Sequence, residues 1–425
     1  MIYGVFFYPF LLLLKRVIFT APVIKGFHTM PVYPNIPKSK LPNAGTTIFS
    51  VMTALANEHN AINLSQGFPN FETSDELISL VSFYMKKGMN QYAPMQGIIS
   101  LREVIAEKVQ ECYHSTYSPE SEITITAGGT EAIYVAITSM IREEDEVIIF
   151  EPAYDCYGPT IHLAGGIPIS IQLSAPDFAI DWGNVKKLIS HKTKMIIINT
   201  PHNPGGSVMT HQDMIELEKI TANSEIIIVS DEVYEHIIFD EHRHESVMRY
   251  PKLAERSFVV FSFGKTYHNT GWKMGYCLAP ENLMIEFRRV HQFVMFSANT
   301  AIQYALAEFM KNKSYLELPA FYQEKRDFFL KQLSGSNFKF TPAKGSYFQC
   351  LDYSQITKEN DFDFAVRLSK ENKVAAIPVS AFYHLKTDNK LLRFCFAKTN
   401  ETLEQAAEKL CNIKSSRFIN GISSY

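Results

Sequence analysis

The sequence predicts an α/β fold: a large, doubly wound, mostly parallel sheet domain with a smaller α+β domain beside it. Three observations carry this expectation. Between residues 123 and 278, short runs rich in Ile, Val and Phe alternate with stretches of helical periodicity. Runs such as Ile196-Ile197-Ile198 and Ile226-Ile227-Ile228-Val229 are apolar throughout, as strands buried on both faces are. Past residue 281 the pattern changes to long helical segments and then short, separated strand runs.

Taken in order, the candidate strands of the large sheet are 123–126, 147–150, 167–171, 195–199, 226–230, 258–262 and 275–278. Helices over 131–141 and 210–221 lie among the segments between them, which is the alternation of a doubly wound sheet. Thr210 suits the N-cap of the second, with Asp213 three residues on as an imperfect capping box. Helical patterns then cover 282–297, 301–310 and 319–333; short strands follow at 345–351, 375–378 and 391–396, and a last helix at 403–411. The expected organisation is an N-terminal extension, 1–36, a large domain, 76–285, a small domain made of 37–75 with 286–414, and a tail, 415–425.

Length and composition narrow the function classes. The chain has 425 residues, 46% hydrophobic and 20% charged, enough to bury a large core without disulfides or metals. Long disorder, collagen and a polytopic membrane protein are excluded. With 41 Lys and Arg against 44 Asp and Glu, the net charge of -3 gives no case for nucleic acid. Cys112, Cys156, Cys277, Cys350, Cys395 and Cys411 form no CxxC pair and read as reduced thiols of a cytoplasmic protein. His242 and His244 form an HxH pair that no further ligand spacing completes, so no metal is expected. Residues 2–14 are uncharged and dense in Phe, Leu and Ile, and Lys15 and Arg16 follow. The run is short of the roughly 20 apolar residues of a membrane span. A secretory signal carries its positive charges before the apolar run, not after it. Membrane attachment is not expected, and a start at Met30 would leave 1–29 dispensable.

Ligands of open parallel sheets bind outside the carboxyl ends of the strands, and here those ends carry an unusual set of polar residues. After 123–126 comes Gly128-Gly129-Thr130 and then a helix, whose free amides suit a phosphate. After 147–150 comes Tyr154. After 195–199 comes Pro201-His202-Asn203-Pro204; after 226–230, Asp231 and Tyr234; after 258–262, Gly264-Lys265-Thr266, with Lys273 eight residues on. A P-loop would need a glycine where Val259 stands, and no G-x-G-x-x-G occurs, which removes the nucleotide readings. The remaining set comprises a lysine able to condense with an aldehyde and an acid to pair with a cationic ring nitrogen. It adds an Asn and a Tyr for a ring oxygen, an aromatic to stack, and Gly, Thr, Ser and Lys for a phosphate. That is the list required by pyridoxal 5′-phosphate.

At these residues the chain resembles the class I/II pyridoxal-phosphate-dependent aminotransferases of fold type I. Within them it is most similar to bacterial methionine aminotransferases and next to kynurenine aminotransferases. The resemblance runs from about residue 37 to 413 through NLSQGFPNF (63–71), NQYAPMQG (90–97), TAGGTEA (126–132) and EPAYDCY (151–157), then NTPHNPGG (199–206), SDEVYEHI (230–237), SFGKTYHNTGWKMGY (262–276) and LLRFCFAK (391–398). It implies that Lys265 carries the cofactor covalently and moves the α-proton. It implies that Asp231 pairs with the ring nitrogen, Asn203 and Tyr234 with the ring oxygen, and that Tyr154 stacks on the ring. Gly129, Thr130, Ser262 and Lys273 would bind the phosphate, with Tyr92 of a partner subunit in a homodimer. Arg393 would clamp the substrate carboxylate, which Gly67 and Asn203 also contact. Many relatives have Arg at the position of Lys273, but the methionine and kynurenine branches also use Lys. Relatives of the methionine branch often have Met in place of Asn269.

The expected function is amino transfer from methionine or an aromatic amino acid to a 2-oxo acid by a ping-pong cycle. Phe68, Tyr347 and Phe382 are candidates for the side-chain pocket. No second arginine suggests itself for a dicarboxylic side chain, which disfavours aspartate. The alternatives are a carbon–sulfur β-lyase or a kynurenine or glutamine transaminase on the same fold. A ligand-sensing regulator is excluded because residues 1–36 are too short and apolar for a winged-helix domain.

Overall fold

Residues 195–198 show how the sequence builds the centre of the fold. Met195 and Ile197 enter one hydrophobic core and Ile196 and Ile198 another, because successive strand side chains point to opposite faces. The same division holds for Val147 and Ile149 against Ile148 and Phe150, and for Phe258 and Val260 against Val259 and Phe261. A sheet that is apolar on both faces has to be covered on both, and helices do this here.

The computed structural model describes residues 35–415, so the expectations for 1–34 and 416–425 lie outside the described residues. The strands are β1 (Ile62–Asn63), β2 (Ile123–Thr126), β3 (Glu146–Glu151), β4 (Ile167–Gln172), β5 (Thr193–Asn199), β6 (Ile227–Asp231), β7 (Ser257–Ser262), β8 (Gly275–Leu278), β9 (Phe348–Asp352), β10 (Val374–Ala375), β11 (Ile377–Pro378) and β12 (Leu391–Cys395). A seven-stranded sheet has the order β2-β8-β7-β6-β5-β3-β4. β8 runs antiparallel to both its neighbours and the other pairings are parallel. The chain steps from β3 outward to β4, then returns to the other side of β3 for β5 and onward. This reversal opens a crevice at the carboxyl ends of β3 and β5.

A second core surrounds the three-stranded sheet β11-β12-β9 and includes Leu351, Phe364, Leu392, Phe394, Leu403 and Leu410. The helices Leu318–Gln332 and Asn400–Cys411 cover it. β1 joins this region by pairing with β10, and Met52 and Leu64 enter its core. Residues 286–310 depart from expectation. Helix Glu281–Val294 packs on helix Gly129–Met140, and helix Thr300–Phe309 packs on Asp75–Lys86 and Ile99–Tyr113. Ala298, Ile302, Ala305 and Leu306 share a core with Ile125 and Tyr276, so in their packing these residues side with the seven-stranded sheet rather than with the small domain expected for 286–414. Apolar residues of an amphipathic helix join whichever sheet face they meet, and sequence periodicity does not say which. The capping box forms as the sequence suggests: the Thr210 hydroxyl accepts from the Asp213 amide, and the Asp213 carboxylate from the Thr210 amide. Among the described residues no helix is long and apolar enough to cross a membrane.

Candidate active site

The carboxyl-end loops converge on a cavity of about 230 Å³. It is lined by Gly67, Gly129, Thr130, Tyr154, Asn203, Asp231, Tyr234, Ser262, Lys265, Lys273 and Arg393 together. β2, β3, β5, β6 and β7 run the same way and bring Gly129, Thr130, Tyr154, Asn203, Asp231, Tyr234, Ser262 and Lys265 to one edge, and Gly67, after β1, and Arg393, on β12 of the three-stranded sheet, complete the wall from outside that sheet.

Lys265 sits on a single helical turn, Phe263–Thr266, at the end of β7. Its Nζ donates to the Tyr347 hydroxyl at 2.8 Å and to the Gly67 carbonyl at 3.2 Å. Burial lowers the ammonium to about 8, and the nearby cations Arg393 and Lys273 push the same way. An amine near this value is available as a base and nucleophile at neutral pH.

Asp231 closes β6. Burial raises its carboxyl to about 6, although the Tyr157 hydroxyl donates to it at 2.5 Å and the Val233 amide at 3.4 Å. Two donors do not offset the lost hydration, so this carboxylate gains from a cation set against it. Its peptide is fixed in turn by Asn199, whose Nδ2 donates to the Asp231 carbonyl and whose Oδ1 accepts from the Asn203 amide.

The helix Gly129–Met140 begins at Gly128, which has φ of 80° and supplies no side-chain cap. Gly is required by that φ, and the uncapped amides are free for an anion. The Lys273 Nζ lies 3.6 Å from where a Cβ on Gly128 would stand, adding positive charge to this cradle. Thr130 and Tyr154 share a 3.1 Å hydrogen bond between hydroxyls at its edge.

Arg393, on β12, is 1% exposed. It donates to Asn203 Oδ1 and to the Ser65 carbonyl, each at 2.8 Å, while its buried Nε has no partner among the described residues. Its Cζ stands 3.9, 5.1 and 5.4 Å from the rings of Phe348, Phe382 and Phe49. A planar guanidinium held between aromatic rings suits one carboxylate and an apolar neighbour. The whole set fits a phosphorylated, cationic aromatic ring bearing an electrophilic carbon, beside a carboxylate-bearing substrate.

Tyr92 is the exception among the predicted residues. It is 81% exposed, rests edge-on against Phe296, and does not line this chain's cavity. Phe68 is half exposed, with its carbonyl accepting from Lys398. Phe68, Tyr347 and Phe382 do not line the cavity: Tyr347 accepts from Lys265, and Phe382 faces Arg393. Asn269 is buried, and neither of its side-chain polar atoms has a partner among the described residues. Sequence reasoning did not assign Tyr157, Asn199, Ser65 or Phe49. Tyr157 had a signal: it stands three residues after Tyr154 of the loop beyond β3, and a tyrosine buried there needs a partner for its hydroxyl. Ser65 acts through its carbonyl, which residue type does not reveal.

Comparisons with known proteins give the family. The family model for aminotransferase class I and II matches residues 59–410. The chain is 48% identical over 379 residues to the methionine aminotransferase of Escherichia coli strain K12, covering 89% of this chain and 98% of that protein. It is 31% identical over 392 residues to human kynurenine–oxoglutarate transaminase 1, covering 84% and 93%. Among solved structures, Escherichia coli YbdL, for which a methionine aminotransferase function was identified, superposes with a TM-score of 0.87 at 48% identity, covering 89% and 100%. N-succinyldiaminopimelate aminotransferase of Mycobacterium tuberculosis superposes with 0.85 at 31%, covering 89% and 100%. A match of this extent, on a fold-type I architecture whose strand ends carry the expected residues, places the chain in the class I and II aminotransferases.

Proposed function

We propose that this aminotransferase binds pyridoxal 5′-phosphate at Lys265 and moves the amino group of methionine or an aromatic amino acid to a 2-oxo acid. The observation that carries this reading is the juxtaposition of a buried, weakly basic lysine with a buried carboxylate and a caged guanidinium. When bound, the cofactor supplies an aldehyde for the donor nitrogen and an electron sink for the α-carbon. Asp231 would pair with its ring nitrogen, Asn203 and Tyr234 would hold its ring oxygen, Tyr154 would cover the ring, and Gly129, Thr130, Ser262 and Lys273 would bind its phosphate. Arg393, steadied by Asn203, holds the donor carboxylate with help from Gly67 and so presents the α-carbon. Lys265 Nζ takes the α-proton and returns it, a task that its lowered proton affinity suits.

The donor preference draws support from the relatives' names and from Phe49 and Phe348, which line the cavity beside Arg393. Among the described residues of the cavity wall, Arg393 is the only arginine. A donor panel tests this. Methionine, phenylalanine, tyrosine, tryptophan and kynurenine are read as kcat/KM against aspartate, with several 2-oxo acceptors. The better apolar donors should exceed aspartate by about 100-fold or more, the worth of leaving a side-chain carboxylate without a partner. Aspartate equal to methionine would overturn the donor assignment. So would pyruvate release from a cysteine conjugate, without any 2-oxo acid, at a rate matching transamination; that result belongs to a lyase.

A cytoplasmic homodimer is part of this proposal. Tyr92, Phe293 and Phe296 are 81%, 87% and 55% exposed and form an apolar surface suited to a second copy, whose site would receive Tyr92. Fully active monomers in sedimentation at assay concentration would contradict it.

Asp231 gives a prediction with a definite sign. Its folded-state value, about 6, lies above the unfolded 3.8, so the folded apoprotein binds the extra proton between these values. Burying its charge therefore costs stability in full above about pH 6 and nothing below about pH 4. Asp231→Asn should stabilise the apoprotein by about 3 kcal/mol at pH 7 and by far less at pH 4, while impairing the holoenzyme. Thermal melts at both pH values decide the point. An apo-variant no more stable than wild type at pH 7 is inconsistent with an uncompensated carboxylate.

A further inference from the structure

We infer that His202 is a positioning residue that sets the Asn203 loop against the Tyr154 loop, the two segments that contact the ring in the cofactor reading above, on which this inference rests. His202 does not line the functional cavity; it lines a smaller one behind Tyr154 and Asn203. Its imidazole bridges the two loops. Nε2 is 2.9 Å from the Pro152 carbonyl, and Nδ1 is 3.3 Å from the Gly205 amide.

Both bonds can form together in one state only, the neutral ring with its proton on Nε2. The other tautomer would set a lone pair against the carbonyl and N–H against N–H. Burial holds the imidazolium down at about 4, so the ring stays neutral through the range in which an aminotransferase works. The packing is tight around it. Phe178 lies 5.9 Å away, centroid to centroid, and a Cβ on Gly205 would fall 2.7 Å from Nδ1 and 2.5 Å from Phe178. Glycine is therefore what lets this loop close onto the imidazole.

The bridge has consequences at Arg393. Asn203, the next residue, accepts from Arg393 at 2.8 Å. On the other side, Ala153, which follows Pro152, donates its amide to the Phe382 carbonyl at 2.9 Å, and the Phe382 ring faces Arg393. His202 thus closes a circuit of contacts that runs from Arg393 through Asn203 to Pro152 and back through Phe382. Without the imidazole bonds, the Asn203 and Tyr154 loops lose the side-chain link that joins them directly, and Arg393 loses the rigidity of one support.

The test compares holoenzymes of wild type, His202→Phe, His202→Gln and His202→Asn, reconstituted with pyridoxal 5′-phosphate. Phe keeps the ring and its packing but neither bond. Gln can donate to Pro152, whereas Asn can accept from Gly205 but falls short of Pro152. His202→Phe should raise the donor KM by about tenfold and move the visible-band titration up by about one pH unit, the effect of weakening one hydrogen bond to the ring oxygen. His202→Gln should return both values toward wild type. If His202→Phe does not fold, the Gln and Asn variants decide, with Gln expected nearer wild type in both readouts. A His202→Phe enzyme with wild-type KM and titration, whatever its melting temperature, overturns the inference, as do Gln and Asn variants that cannot be told apart. A wild-type protein that shows no visible band with the cofactor refutes the cofactor reading instead.

Discussion

Lys265→Ala is expected to lower transamination by at least about 10⁴-fold, because in the proposed function one amine supplies both the covalent attachment and the proton transfer. The loss should fall on kcat, since Arg393 and the aromatic wall remain to bind the donor. Folding should be retained or improved: Nζ is buried, its charged form is disfavoured there, and its bonds are to Tyr347 and the Gly67 carbonyl. Steady-state rates together with a thermal melt check this. An alanine enzyme with near-normal turnover would remove Lys265 from the chemistry.

Arg393→Gln is expected to reduce kcat/KM for methionine by about 10²–10³-fold, the cost of removing one partner of a buried, hydrogen-bonded charge pair. The change should appear first in the donor KM and also in KM for the 2-oxo acid, because both substrates carry the same carboxylate. Arg393→Lys should not rescue it well: an ammonium cannot reproduce the fork that reaches Asn203 and Ser65 while presenting a face between Phe348 and Phe382. A glutamine enzyme whose loss is confined to kcat would place Arg393 elsewhere in the cycle.

The parts of this account that were legible in the sequence are those with strong local signals. The apolar strands 195–199 and 226–230 could be read because burial on both faces leaves no polar alternation. Asp231 could be read because an acid closing such a strand is costly to bury unpaired, and Asn203 and Lys265, in the turns after β5 and β7, because the motifs NTPHNPGG and SFGKTYHNTGWKMGY contain them. The affiliation of residues 286–310 could not, because the apolar stripe of helix Thr300–Phe309 would serve either core. The partners of the functional side chains were equally hidden. Tyr157 reaches Asp231 across 74 positions and Tyr347 reaches Lys265 across 82, distances over which spacing carries no information. Ser65 contributes a main-chain carbonyl, and any residue type has one. Phe49 lies outside every motif and reaches the wall through the turn that starts helix Ile48–Glu58.

In the proposed function, Lys265 and its neighbours carry out the first half of an amino transfer from methionine. This is tested most directly by mixing cofactor-loaded protein with methionine alone, without any 2-oxo acid, and following the visible band and the products. The band should bleach and about one equivalent of the corresponding 2-oxo acid per subunit should be released, after which the reaction stops until an acceptor is added; Lys265→Ala should release none. Continuing release of ammonia or a thiol without an acceptor, or a band indifferent to methionine, would contradict it.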